Sequence, residues 1–80
     1  MMFKKPRMPD QNIRMILSFL GERRKWIDIK SDAGCHGETI TSIKKWFNSL
    51  SWREAKVYAE GNENVLKART NYLADKAGDR

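Results

Sequence analysis

The sequence predicts a small α+β domain, three helices followed by a C-terminal β-hairpin, and three observations carry that expectation. Ile13, Ile16, Leu17 and Leu20 recur at helical spacing within residues 9–21, the mark of an amphipathic helix. From Trp26 to Leu50, two shorter apolar patterns meet at Gly34, a residue at ease with positive φ where one helix must stop and another start at an angle. After Leu50 the period changes: Ala55, Val57 and Ala59 alternate with polar residues, as do Leu66, Ala68, Thr70 and Tyr72, on either side of the turn-rich EGNEN. The same last stretch also reads with period 3.6, from a capping box at Ser51 and Glu54 to a stop at Gly61 and a second apolar face behind Asn64. That alternative is an all-α bundle of five short helices.

Taken in order, residues 1–8 form a flexible basic arm, since Pro6 and Pro9 oppose helix and Lys4, Lys5 and Arg7 supply charge. The folded domain spans residues 9–74. Pro9 suits a first helical turn, Met15 and Phe19 widen the apolar side of the first helix, and Gly21 ends it. Glu22 to Lys25 make a charged connector, and Trp26 and Ile27 a short extended piece before Asp28 as N-cap of the second helix. Ile29 and Ala33 face inward from that helix. Beyond Gly34 and the small Cys35, Ile40, Ile43, Phe47 and Leu50 form one stripe of a third helix of about fourteen residues. Residues 75–80 are a C-terminal tail.

Eighty residues allow one domain. A chain of this length buries only roughly 60 to 65% of its unfolded surface, so the core is thin and a second subunit would help. Apolar residues make up 40% of the chain, with three Trp, three Phe and two Tyr, which is too much for a disordered segment. The net charge of +6 favours an anionic partner. Much of the excess lies within residues 1–30, which hold Lys4, Lys5, Arg7, Arg14, Arg23, Arg24, Lys25 and Lys30 against Asp10, Glu22 and Asp28.

The face of the third helix opposite its stripe carries Glu38, Thr41, Ser42 and Lys45, with Asn48 and Ser49 at its edges. Short hydrogen-bonding groups around one lysine suit base edges in a major groove, where hydroxyls donate or accept and lysine reaches guanine.

The Gly34 segment resembles the helix-turn-helix of DNA-binding regulators. In that pattern the turn glycine follows an aliphatic residue by five and a small one by one, and precedes aliphatic residues by six and nine; Ile29, Ala33, Ile40 and Ile43 fill those places. One position departs: where the pattern carries alanine, this chain has Lys30. A long helix, a brief strand and then a helix-turn-helix is also the opening order of winged-helix domains. The resemblance implies a sequence-specific double-stranded DNA-binding protein, a small transcriptional regulator of a bacterium or mobile element, with the C-terminal hairpin as its wing. Thr41, Ser42, Lys45 and Glu38 would touch bases, and Arg23, Arg24, Lys30, His36, Lys44 and the wing's Lys67 and Arg69 would touch the phosphate backbone. A homodimer is favoured, because two-fold symmetry doubles the readout and Trp46 and Trp52 could leave an apolar patch for a second subunit. The rival reading is a small basic protein-interaction module, a phage-type inhibitor or adaptor of an acidic host protein. It draws on the near neutrality of the third helix, where Glu38 stands beside only Lys44 and Lys45.

Enzyme function is not expected. One cysteine and one histidine cannot complete a four-ligand zinc site, a Cys-His nucleophile needs a positioned third group and a pocket that so short a chain can hardly enclose, and GCHG is not followed by the Lys-Ser/Thr of a phosphate loop. No cofactor, metal or small-molecule substrate is expected. The single Cys35 excludes an internal disulfide and fits a reducing cytoplasm; no apolar run reaches the length of a membrane span.

Overall fold

The computed structural model describes residues 3–78, and in it the chain forms five helices: α1 (Asp10–Gly21), α2 (Trp26–Ala33), α3 (Gly37–Ser49), α4 (Trp52–Ala59) and α5 (Glu63–Gly78). No strand occurs among the described residues, so the α+β expectation of a β-hairpin wing is wrong. Residues 52–74 instead hold two helices joined by a turn at residues 60–62, the alternative that the period of 3.6 left open. Met1 and Met2 of the expected arm, and Asp79 and Arg80 of the expected tail, lie outside the described residues.

Local chemistry explains why α4 and α5 win over a hairpin. Ser51 accepts from the Glu54 backbone N–H while the Glu54 side chain accepts from the Ser51 N–H, so a complete capping box starts α4. Ala55 and Ala59, four apart, are buried, whereas Val57 between them is 72% exposed. On a strand all three would share one face. Glu60 and Gly61 carry φ of 51° and 82°, and the Asn62 side chain then accepts from the N–H groups of Asn64 and Val65 to begin α5. EGNEN is therefore a tight turn with two successive left-handed residues, as a hairpin would also need, but it joins helices.

Two smaller expectations also shift. Trp26 and Ile27 are the first turn of α2 with Lys25 at the N-cap position, so Asp28 lies inside the helix, where its charge favours the N-terminal dipole. Residues 75–78, expected in the tail, continue α5.

The core is built from Ile13, Ile16 and Leu17 of α1, Ile29 of α2, Ile40, Ile43, Trp46 and Phe47 of α3, Ala55 and Ala59 of α4, and Val65 and Ala68 of α5. α1 and α5 form the most extensive pair. They approach so closely at Gly21 that a Cβ there would stand 1.8 Å from the Asn64 carbonyl oxygen. Asn71 of α5 donates to the Leu20 and Gly21 carbonyls, satisfying the end of α1. Gly34 has φ 63° and closes α2 in the left-handed conformation, so α2 and α3 diverge there, with Ala33 and Cys35 packed against the core from either side of the turn.

Candidate nucleic-acid interface

Successive residues on a helix are turned by about 100°, so Lys44, Lys45 and Trp46 point three ways from α3 and mark three surfaces. The first is the outer face. Ile40, Ile43 and Phe47 are fully buried, which turns Glu38, Ser42 and Lys45 outward, and all three are exposed. Thr41 is half-buried and donates its hydroxyl to the Gly37 carbonyl at 3.1 Å. Asn48 donates to the Lys44 carbonyl and Ser49 to that of Trp46, so the rim of this face is folded back onto its own backbone.

Lys44 faces the second surface. Its Nζ lies 5.6 Å from the ring centre of Trp26 and 5.7 Å from that of Tyr72. Arg23 and Arg24 arrive beside it, and all five residues line one cavity of about 170 Å³. Arg23 pairs with Asp75 at 3.2 Å, and Arg24 pairs with Asp32 while lying over the Phe19 ring. Three of the seven residues expected to meet phosphates are thus brought together, each already held by neighbours.

On the third surface Trp46, Leu50, Val57 and Tyr58 form an apolar cleft of about 390 Å³, edged by Arg53 and Glu54. Trp46 is core material rather than a free patch, at 8% exposure, whereas Trp52 is half exposed under the Arg69 guanidinium. Tyr58 meets the Trp46 ring edge-on at 5.1 Å and donates its hydroxyl to Asp10 at 3.1 Å. Lys5, from the expected arm, pairs with Asp10 and sits over both rings. Its hydrogen bond, with help from Tyr58, holds the Asp10 carboxyl below the usual 3.8. Burial, then the Asp10 carboxylate, pushes the Tyr58 hydroxyl above its usual 10.0.

Of the other expected phosphate contacts, Lys30 and His36 are exposed on either side of the Gly34 turn. The aliphatic neighbours of Lys30 pack inward without it, so the departure from the alanine of the pattern costs no core contact. Lys67 and Arg69 lie on α5, and Arg69 donates to the Ser51 carbonyl at 3.3 Å; with no hairpin, neither is carried on a wing. The sequence reading missed Trp26, Tyr72 and Asp75 as partners of the cations, and Lys5, Asp10 and Tyr58 as a cluster. Only the exposed aromatic at Trp26, next to the charged connector, could have signalled the first group.

No family model, curated protein or solved structure matches this chain. No described helix is long and apolar enough to cross a membrane.

Proposed function

We propose that this protein is a sequence-specific double-stranded DNA-binding protein, a small transcriptional regulator, that inserts α3 into a major groove without the help of a wing. The observation behind this reading is the α2–Gly34–α3 corner: Ile29, Ile40 and Ile43 are sealed beneath it while Ser42 and Lys45 stand free on the outer side. The chemistry of each group limits what it reads. Thr41 commits its proton to Gly37, so its oxygen is an acceptor for an adenine or cytosine amino group. Glu38 also accepts, Ser42 does either, and Lys45 donates to guanine O6 or N7. Lys30 and His36, both exposed beside the turn, would meet the flanking phosphates.

One short helix contacts few base pairs, so the reading includes a homodimer. The apolar cleft beside Trp46 is the surface for it. Arg53 and Glu54 on its edge offer opposite charges to their copies across a two-fold axis, and the cleft lies about 100° around α3 from Lys45, leaving both outer faces free.

Selection of duplexes from a random pool, followed by titration of Lys45→Glu on the selected site, tests the proposal. Specific binding should be lost, and the wild-type log-log salt slope should be about −2 to −4, as one or two phosphate contacts per subunit at roughly −0.9 each require in a dimer. Wild-type affinity in the Lys45→Glu protein would overturn this docking.

The protein-interaction reading keeps one observation in its favour. Val57 is 72% exposed at the edge of an apolar cleft, while the outer face of α3 balances Lys45 against Glu38. A stable complex with an acidic protein that is indifferent to Lys45→Glu, together with duplex binding that shows no sequence preference, would favour it.

A further inference from the structure

The cavity on the Lys44 side of α3 gathers like charges from separate parts of the chain. Arg23 and Arg24 come from the α1–α2 connector and Lys44 from α3, and only one carboxylate, Asp75, lines the cavity with them. Lys44 has no carboxylate partner among the described residues and is held by the faces of Trp26 and Tyr72. Arg23 reaches the cavity from a backbone φ of 57°, a conformation that glycine adopts at lower cost. Trp26 is fixed from below, since its ring lies against Gly37 so closely that a Cβ there would be 3.1 Å away. Trp26 is nonetheless 42% exposed.

We infer that this cavity is a seat for a nucleotide, with the phosphate held by Arg23, Arg24 and Lys44 and the base stacked on the exposed part of the Trp26 ring. Size limits what the cavity can enclose. About 170 Å³ falls short of the ~300 Å³ at which pockets for whole drug-sized molecules begin. A phosphate and part of a sugar fit inside, and the base must lie outside, where the exposed indole offers a stacking surface. The carboxylates already present do not bar the site. Both the Arg23–Asp75 and Arg24–Asp32 pairs are solvent-exposed, and a dianionic phosphate with three acceptor oxygens outcompetes pairs of that kind. The site is on the flank of α3, so the inference does not rest on the duplex reading of the outer face. A free nucleotide and the phosphorylated end of a nucleic-acid strand present the same chemistry.

The test is an NMR titration of the full chain, followed on the Trp26 indole N–H, assigned through Trp26→Phe. The probes are adenosine monophosphate, adenosine, inorganic phosphate and a 5′-phosphorylated trinucleotide. Adenosine monophosphate should shift the signal saturably below about 10 mM, well above a weak site's Kd of roughly 1 mM, with adenosine at least tenfold weaker and inorganic phosphate competing. Arg23→Gly relaxes the backbone and so keeps the fold; it should weaken the phosphate ligand about tenfold, the worth of one charge-assisted hydrogen bond. Asp75→Asn should tighten it several-fold, which a merely structural ion pair would not do. A trinucleotide that binds more than tenfold tighter than the monophosphate identifies the source as a strand, and equal affinity identifies a free nucleotide. Absence of a saturable shift with any phosphate probe, or affinities unchanged in both variants, overturns the inference.

Discussion

Gly21 shows how one residue can be noticed in a sequence and still be misread. Its place after Leu20 marks a helix stop, and α1 does end there. The left-handed turn that redirects the chain, however, falls on Arg23, and Gly21 is needed because the α5 backbone passes where its side chain would be. Both needs, positive φ and close approach, ask for glycine, and sequence alone does not separate them. They predict different outcomes. A methyl group at Gly21 would sit 1.8 Å from the Asn64 oxygen and 2.7 Å from its carbonyl carbon, so α1 and α5 would have to move apart. Gly21→Ala should therefore cost about 3 kcal/mol or more in urea denaturation, at the upper end of overpacking effects. A loss below about 1 kcal/mol, the scale of a helix-propensity or cap change, would show that the two helices do not cross there.

At the scale of the element, α1 and α3 were legible because each carries enough periodic residues to fix its face: Ile13, Ile16 and Leu17 in one, Ile40, Ile43 and Phe47 in the other, all fully buried. α4 was not, because it offers only Ala55 and Ala59 to the core, and two alanines with Val57 between them fit period two as well as period four. What decides the matter is at the start of the element. Ser51 and Glu54 satisfy two helical N–H groups at once, and a strand offers no equivalent use for that spacing. Ser51→Ala should consequently destabilise the protein by about 1 kcal/mol and loosen α4 ahead of the rest, read as faster amide exchange in residues 52–59 than in α1. Uniform exchange across the two helices would mean that packing, not the cap, holds α4. With no hairpin, Lys67 and Arg69 lie on α5 rather than on a wing.

For the whole molecule, the residues of the outer face were readable from one helix, whereas the two flanks of α3 were not, because each joins segments far apart in the chain. The Lys5–Asp10–Tyr58 cluster is the clearer case: it ties the N-terminal segment to Asp10 of α1, and Asp10 in turn to Tyr58 of α4 over 48 positions, and no local pattern announces it. It also sets limits on stability at both ends of the pH scale. Asp10 has a lower pKa folded than unfolded, so its contribution is present above the unfolded value of 3.8 and is lost as pH falls through the depressed folded value. Tyr58 has a higher pKa folded than unfolded. Its contribution is present below 10.0 and is lost as pH rises from there toward the folded value, because the unfolded chain gives up the proton first. Stability measured by urea unfolding across pH should thus fall below about pH 4 and above about pH 10. Other groups titrate in both ranges, so the differences between proteins are the informative quantities. The wild type minus Asp10→Asn should shrink chiefly on the acid side and the wild type minus Tyr58→Phe chiefly on the alkaline side, with a smaller change on the other side because the two groups share one hydrogen bond. If Tyr58→Phe kept the full alkaline decline, the hydroxyl would be neither buried nor held by Asp10 as described, and the bracing of the N-terminal segment against α4 would have to be withdrawn.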